Sequence, residues 1–179
     1  MQRIFQQTFV FDPERTLTLR VDSKTNSVVR IEYMKNGKEH RECRQGPAII
    51  QWHDGGLLFE EAWMEFGKLH NSGGPAQREY DEGKLFMEAY YVNGVLHRED
   101  GPALLEYPSP NHARRAEAYY RKGLRHRPSK DGPAITEWDA NGHVVRQEFW
   151  VAGKRVKQPM PSRPHPQRSP RRSAAPRPR

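Results

Sequence analysis

The stretch YYVNGVLHREDGPALLEY, residues 90–107, contains the pattern that decides the fold. In this pattern a glycine is followed three residues later by a histidine, then by Gly-Pro-Ala, and an aromatic residue comes four places after the alanine. Four copies run along the chain, and their Gly-Pro-Ala glycines are 28, 27 and 31 residues apart. Such a period is typical of arrays in which each copy is one supersecondary unit stacked on its neighbours. The copies comprise Gly37, His40, Gly46 to Ala48 and Trp52; Gly67, His70, Gly74 to Ala76 and Tyr80; Gly94, His97, Gly101 to Ala103 and Tyr107; and Gly123, His126, Gly132 to Ala134 and Trp138.

The residues around the first glycine of each copy predict a β-hairpin. Asn-Gly at Asn36-Gly37 and at Asn93-Gly94 separates two extended runs, and both residue types tolerate a positive φ. The first strand of each hairpin has an aromatic residue four places before the glycine. These aromatics are Tyr33, Trp63, Tyr90, Tyr119 and, in a fifth partial copy that ends at Gly153, Phe149.

The residues that follow Gly-Pro predict a second strand in each copy. In the third copy, Ala103, Leu105 and Tyr107 alternate with Leu104 and Glu106. Because side chains of a strand point to opposite faces in turn, we expect the alanine-to-aromatic face to be the buried one. A polar glycine or proline cluster then leads into the next copy. The sequence therefore predicts an up-and-down meander with two strands per unit.

The chain divides into three segments. Residues 1–27 contain two predicted strands, 4–11 and 16–21, that we expect to cap the first edge of the array. Residues 28–157 hold four and a half β-hairpin repeats. Residues 158–179 include seven prolines and almost no large apolar side chain, which predicts a disordered tail. The expected fold class is all-β: an elongated antiparallel meander of stacked β-hairpin repeats followed by a disordered C-terminal tail.

Composition supports a thin sheet and locates the positive charge. Only 35% of the residues are apolar and the mean hydropathy is −1.00, which is low for a thick closed core. The formal net charge is +8, but residues 159–179 contain six arginines and no acidic residue. The remainder carries 24 basic and 22 acidic residues. The high isoelectric point therefore does not indicate that the repeats bind nucleic acid.

The cysteine content and the absence of apolar runs indicate a cytoplasmic protein. Cys43 is the single cysteine, so no intramolecular disulfide is possible and no oxidising compartment is required. The first residues lack a basic start followed by an apolar run, and no stretch of 18 apolar residues occurs. We therefore expect neither secretion nor a transmembrane segment.

The histidines that recur once in each copy predict a structural role. Catalysis needs different residues in different roles at one place, whereas these histidines occupy one equivalent position. We expect each imidazole to hydrogen-bond backbone in the loop before Gly-Pro, where proline supplies no N–H. A metal ladder would need neighbouring rings within about 2.1 Å of one ion, although hairpins recur about every 9–10 Å. We therefore expect no enzyme, no cofactor and no metal. The four residues are His40, His70, His97 and His126.

The run from Tyr90 to His97, aromatic-x-x-Asn-Gly-x-x-His, resembles the membrane occupation and recognition nexus (MORN) repeat. That family builds a β-hairpin from each copy and stacks the hairpins into an elongated sheet. This chain differs in its longer unit and in His-Arg-x-Asp-Gly-Pro-Ala at residues 97–103, where the family has His-Gly-x-Gly. It is more similar to a Gly-Pro-Ala variant of uncharacterised bacterial, phage and giant-virus proteins, and a MORN-like relative is labelled an antitoxin. The resemblance spans residues 28–156 and implies a scaffold for partners.

Two repeated rows are candidate protein-binding residues. Glutamates recur on the outward side of the second strands, and aromatics recur one place after the first-strand aromatics, on the opposite face from them. Either the acids form cross-strand pairs with arginines, or they form a stripe that binds a basic partner. A row of exposed aromatics is a typical contact surface. The leading hypothesis is a non-enzymatic scaffold that binds a protein through these rows. The residues are Glu79, Glu106, Glu137, Tyr91, Tyr120 and Trp150.

The C-terminal tail offers an alternative function of a different class. Arginines spaced by proline and serine suit contacts to phosphates without base reading, with a steep dependence on salt. The alternative hypothesis is therefore that the tail binds nucleic acid or an anionic surface. The remaining alternative is a solvated tail that has no specific partner. The candidate residues are Arg163, Arg168, Arg171, Arg172, Arg177 and Arg179.

Overall fold

The computed structural model describes residues 4–53, 55–111 and 115–158, and that part of the chain is almost entirely β. The predicted disordered tail lies outside the described residues. In the described ranges, two short 3-10 helices, Cys43–Gln45 and Ser129–Asp131, are the only helices. Neither of them has the length or apolar character that crossing a bilayer requires. The strands are β1 (Ile4–Asp12), β2 (Arg15–Asp22), β3 (Val28–Lys35), β4 (Lys38–Glu39), β5 (Ile49–Trp52), β6 (Leu58–Ala62), β7 (Met64–Glu65), β8 (Lys68–Leu69), β9 (Gln77–Asp81), β10 (Lys84–Ala89), β11 (Tyr91–Val92), β12 (Val95–Leu96), β13 (Leu104–Glu106), β14 (Arg115–Ala118), β15 (Tyr120–Arg121), β16 (Leu124–Arg125), β17 (Ile135–Trp138), β18 (Val144–Val151) and β19 (Lys154–Val156).

Thirteen strands form one antiparallel sheet whose spatial order follows the chain, which confirms the predicted all-β meander. The order is β1-β2-β3-β5-β6-β9-β10-β13-β14-β17-β18-β19, with β4 attached to β3. The N-terminal strands β1 and β2 extend the array at one edge, and β19 lies at the other. Each later repeat thus contributes its first strand and its second strand to the long sheet.

The tips of three hairpins separate from the long sheet, so these repeats contain more strands than the two predicted. The short pairs β7-β8, β11-β12 and β15-β16 form sheets of their own. The split occurs at the first-strand aromatic. The Tyr90 N–H donates to the Ala103 carbonyl in the long sheet at 2.8 Å, whereas the Tyr90 carbonyl accepts from the His97 N–H in the hairpin at 2.9 Å. One residue therefore belongs to both ladders.

The hairpin turns place two consecutive residues at positive φ, as the Asn-Gly pairs predict. This is the geometry of the tight turns that match the twist of β-hairpins. The fold imposes it even where the residue before glycine is not asparagine. The pairs are Asn36 (φ 52°) and Gly37 (71°), Phe66 (50°) and Gly67 (78°), Asn93 (52°) and Gly94 (80°), Lys122 (51°) and Gly123 (77°), and Ala152 (48°) and Gly153 (75°).

A row of seven buried alanines crosses the long sheet where the hairpins separate from it. The Ala48 N–H donates to the Ala62 carbonyl at 2.8 Å, and the Ala103 N–H donates to the Ala118 carbonyl at 2.9 Å. Their small side chains allow the backbones to approach at this line. The row consists of Ala48, Ala62, Ala76, Ala89, Ala103, Ala118 and Ala134, each with 0–7% of its surface exposed.

The aromatics at the ends of the second strands are half-buried, although the sequence predicts that their face is the buried one. A sheet with no second layer packed on it covers neither face completely. In the described part of the chain, no large side chain is fully buried. The aromatics are Trp52, Tyr80, Tyr107 and Trp138.

An arginine beside the histidine ties the Gly-Pro-Ala loop to the first-strand aromatic. The guanidinium carbon of Arg98 lies 3.9 Å from the ring centroid of Tyr90, and its Nη1 donates to the Pro102 carbonyl at 3.2 Å. The combination of a cation–π contact and a hydrogen bond fixes the loop against the sheet. In the second copy Asn71 donates instead, to the Pro75 carbonyl at 2.8 Å. The other arginine contacts are Arg41 with Tyr33 (4.0 Å) and the Pro47 carbonyl (3.2 Å), and Arg127 with Tyr119 (4.1 Å) and the Pro133 carbonyl (3.1 Å).

Replacing the Gly-Pro-Ala glycine should cost more stability than replacing an ordinary turn glycine. Gly132 has φ 120°, and an added Cβ would lie 3.1 Å from Nη1 of Arg127. Gly142 has φ 83°, and an added Cβ there would meet nothing within 4 Å. We expect Gly132→Ala to lower the free energy of unfolding by about 3 kcal/mol and Gly142→Ala by about 1 kcal/mol. Denaturant titration measures both, and equal losses would contradict the proposed loop anchor.

Candidate functional site

The three glutamates of the predicted row lie on one line across the long sheet. Met87 is opposite Glu79 on one side and opposite Glu106 on the other. Ala116 in turn is opposite both Glu106 and Glu137. Because directly paired residues of an antiparallel sheet project to the same side, all three glutamates share one face.

The three predicted aromatics lie on the same face as these glutamates. Each aromatic comes two residues after a strand position that is paired in line with these glutamates, and residues two apart in a strand point to the same face. The aromatics and the positions before them are Tyr91 after Ala89, Tyr120 after Ala118 and Trp150 after Glu148. All three aromatics are half-buried. We call the surface formed by Tyr91, Tyr120, Trp150, Glu79, Glu106 and Glu137 the aromatic face.

Arg125 joins two neighbouring aromatics of this row. Its Nε donates to the Tyr120 hydroxyl at 3.2 Å, and its guanidinium carbon lies 5.2 Å from the ring centroid of Trp150. At Tyr91, burial, and then the charges of Glu79 and Tyr120, raise the pKa of the hydroxyl.

The three glutamates differ in how their charge is compensated. Glu137 pairs with Nη1 of Arg146 at 2.6 Å. Glu79 accepts from the Gln77 amide at 3.0 Å, and burial followed by the charge of Glu60 raises the pKa of Glu79. In the described part of the chain, the exposed Glu106 has neither a hydrogen-bond nor an ion-pair partner. The acidic line is thus only partly neutralised.

The opposite face neutralises its own acidic row. Nε of Arg78 lies 3.2 Å from Glu88, and its Nη1 lies 3.9 Å from Glu61. The Tyr80 hydroxyl donates to Glu61 at 2.7 Å, and the Tyr107 hydroxyl donates to Glu88 at 2.8 Å. Burial and then the bond to Glu61 raise the pKa of Tyr80 to about 12. Burial and the bond to Glu88 likewise raise the pKa of Tyr107 to about 12. These acids belong to a cross-strand ladder.

A depression of about 140 Å³ opens on the aromatic face between β13, β14 and β17. Ala116 and Ala118 of β14 form its floor, because their side chains are the smallest on that strand's exposed side. The sequence analysis did not single out Ala116, although alternate alanines in a strand are a readable signal for a groove. The other residues that line it are Leu104, Glu106, Glu117, Tyr120, Arg125, Ile135, Glu137 and Arg146.

The four histidines each accept a hydrogen bond from backbone, but the donor differs from the expected one. The donor lies in the turn of the next repeat rather than in the loop before Gly-Pro. It is the N–H of the first positive-φ turn residue, which the turn itself leaves unpaired. The bonds run from Phe66 to His40 (3.3 Å), Asn93 to His70 (3.1 Å), Lys122 to His97 (3.1 Å) and Ala152 to His126 (3.0 Å), in each case to Nδ1.

These hydrogen bonds determine which ring nitrogen of each imidazole carries the proton. A ring whose Nδ1 accepts an amide N–H is neutral and carries its proton on Nε2. In His97 that second nitrogen lies 3.1 Å from Glu99 Oε1. His70 and His97 both line an open cleft of about 550 Å³ between the second and third repeats. In both rings Nδ1 accepts the hydrogen bond from a turn amide described above.

One group of potential metal ligands exists among the described residues, formed by Cys43, Glu65 and His70. Their ligand atoms all lie within 4.8 Å of one another. Cys43 Sγ lies 3.5 Å from both Glu65 Oε1 and the His70 carbonyl oxygen, and either oxygen can accept its one S–H hydrogen. Burial, and more weakly Glu65, raise the pKa of the Cys43 thiol. Because Nδ1 of His70 accepts from Asn93, its Nε2 carries a proton and has no lone pair for a metal. The group acts as a hydrogen-bonded link between two repeats.

Removing two histidine acceptors should lower thermal stability. His97→Ala combined with His126→Ala deprives two turn amides of their partners, at about 1 kcal/mol for each hydrogen bond. His97→Asn combined with His126→Asn is the matched control, because an amide oxygen near the Nδ1 position accepts the same N–H. We expect the Asn pair to retain most of the melting temperature that the Ala pair loses. An unchanged melting temperature in the Ala pair would contradict the role of these histidines as acceptors for the turn amides.

Neutralising Glu79 should stabilise the protein at neutral pH. The raised pKa means that the folded state binds a proton at Glu79 more readily than the unfolded state does, so its ionised form disfavours folding. Glu79→Gln should therefore unfold at higher urea than wild type at pH 7. This advantage should shrink as the pH falls through the raised pKa of Glu79 and should be lost below the ordinary value of 4.5, where Glu79 is protonated in both states.

Glu137→Gln is the control for this measurement, since it removes an ion pair with Arg146 and should lose stability at pH 7. An advantage of Glu79→Gln that stays constant from pH 7 to pH 4 would contradict the electrostatic cause.

The six arginines of the predicted polyanion site lie outside the described residues. Comparison of the chain with models of known protein families, with curated proteins and with solved structures finds no match. The functional interpretation therefore rests on the geometry of the repeats themselves.

Proposed function

We propose that this protein is a non-enzymatic scaffold that binds a protein partner through the aromatic face. The observation that supports the proposal is that six repeated residues, aromatic and acidic, share one face and line up across successive repeats. On the opposite face, Glu61 and Glu88 form ion pairs and hydrogen bonds with other residues of the sheet. An array that offers the same contact several times gains affinity by multivalency.

The depression on the aromatic face suits a long basic side chain of the partner. The alanine floor accepts the methylene groups of lysine or arginine, and the charged end reaches the rim. There Glu106 is the carboxylate without a cation, within the described residues, and Tyr120 offers a ring face. A partner segment rich in basic residues fits this chemistry.

The spacing of the repeats favours a polyproline II conformation for that segment. Equivalent strands of neighbouring repeats are two strand spacings apart, about 9.4–9.8 Å. A polyproline II chain advances about 9.3 Å in three residues, which is one full turn. A segment that crosses the strands with a basic residue at every third position therefore presents the same side chain to each repeat.

We also propose that the array is a MORN-like repeat of the Gly-Pro-Ala type. The support is the chain-ordered meander of hairpins with an aromatic and a histidine on either side of each turn. An association with bacterial antitoxins or phage proteins follows from that resemblance and is part of the same proposal.

A peptide of spaced arginines should bind the full chain through the aromatic face. The probe is fluorescent (Pro-Pro-Arg)4, and an isomer with its four arginines contiguous is the composition control. We expect the spaced peptide to bind at least about tenfold more tightly by fluorescence anisotropy. Glu106→Lys should abolish the preference. Glu82→Lys, which changes the same charge in an exposed turn, should leave it intact. Equal binding of the two peptides would contradict the proposal.

The tail hypothesis is separated from this one by deleting residues 159–179. The observation in its favour is that this segment holds six arginines and no acid. Loss of salt-dependent binding to a DNA duplex on deletion, with peptide binding retained, would assign the two activities to two parts of the chain.

A further inference from the structure

The edge strand β1 has eight consecutive exposed and uncharged residues, 4–11, and one hydrogen-bonded neighbour. Within the described residues it pairs with β2 alone. All but the last of its nine residues are exposed, including Val10 at 69%, Phe11 at 64% and Ile4 at 54%. No charged residue occurs between positions 4 and 11. An edge of this kind presents a row of free N–H and C=O groups and readily pairs with another strand.

The opposite edge of the sheet is built differently. Its strand β19 spans only Lys154–Val156, and Lys157 follows it. A short edge rich in lysine and arginine is protected from pairing by repulsion between like charges. Residues 144–148 of β18, which pair with β17 and not with β19, complete this edge and include Arg146 and Glu148. Of the two described edges, β1 therefore offers the longer uncharged stretch.

The sequence of β1 is self-complementary about Gln7. When two copies run antiparallel with Gln7 opposite Gln7, Phe5 faces Phe9, Ile4 faces Val10 and Gln6 faces Thr8. Every pair matches in chemical type: aromatic with aromatic, β-branched with β-branched, and polar with polar. Cross-strand pairs of these types stabilise antiparallel sheets.

We infer that β1 pairs antiparallel with β1 of a second copy of this chain, with a two-fold axis at Gln7. The long sheet then continues through both copies. Phe5 and Phe9 lie on the face of Val21 and Leu17, to which they are directly opposed in β2. The two Phe5–Phe9 pairs extend that apolar surface across the axis and cover exposed ring area.

The assembly stops at two copies. A contact in which the same edge is used by both partners is isologous and consumes the open edge of each copy. The free ends of the joined sheet are then the two basic β19 edges, which repel each other. The inference is independent of the partner bound on the aromatic face.

Disulfide trapping tests the register. In a Cys43→Ser background, Gln7→Cys should place two thiols opposite each other, at a Cα separation of about 4.5–5.5 Å that a disulfide spans. Thr8→Cys is the matched control, because Thr8 would face Gln6 of the other copy. Mild oxidation of the full chain and non-reducing electrophoresis should give at least tenfold more cross-linked dimer for Gln7→Cys. Equal cross-linking, or none, would overturn the inference.

Charge pairing tests the association without a covalent bond. Light scattering during gel filtration should show wild type as a dimer, and Gln7→Lys and Gln7→Glu separately as folded monomers. An equimolar mixture of the two variants should return to the dimer mass. Gln147→Lys, which adds the same charge to β18 at the far end of the sheet, should remain dimeric. A monomeric wild type, or Gln7→Lys that stays dimeric, would overturn the inference.

Discussion

The constraint on which this structure depends is that a single sheet of short strands cannot bury a core. Along the line where the hairpins separate from the long sheet, four alanines are fully buried, whereas no large side chain of the described residues is. Cohesion must therefore come from hydrogen bonds between neighbouring repeats. The turn amide that donates to the preceding histidine is the clearest case, because a side chain supplies an acceptor where the sheet has none. Four histidines serve four following turns, and the first turn instead donates from Asn36 to the Glu14 carbonyl at 2.7 Å.

The same constraint bears on the proposed binding surface. Both faces of the sheet carry repeated acids and aromatics and use some of them internally, but among the described residues the face opposite the aromatic face has the more complete network. Arg78 bridges Glu61 and Glu88, and tyrosine hydroxyls complete that ladder. On the aromatic face, Glu79 and Glu137 have partners, and Glu106 has none among the described residues. The proposed function therefore places the contacts with the partner on this face.

The elements that local sequence determines were predictable, and the contacts between repeats were not. Asn93-Gly94 specifies a turn through its own backbone preference, and period-2 alternation places Glu106 and Tyr107 on opposite faces. The partner of a histidine is set by the stacking distance between repeats, so the pattern indicates a structural acceptor without naming Lys122. For the same reason the contact of Cys43 with Glu65 and His70 could not be predicted, because in the sequence the nearest histidine to Cys43 is His40, three residues before it. The separation of the hairpin from the long sheet at Tyr90 could not be predicted, because it depends on hydrogen bonds of one residue to two different ladders.

Native-state amide hydrogen exchange tests cohesion between neighbours most directly. The amides of Phe66, Asn93, Lys122 and Ala152 belong to exposed turn residues, and exchange there should be slowed by the histidine bond. Glu82 is the internal reference, because it starts a turn of the same kind, at φ 49°, with no histidine before it. The four amides should exchange at least about tenfold more slowly than the Glu82 amide. Exchange at the Glu82 rate would show that the histidines do not join the repeats.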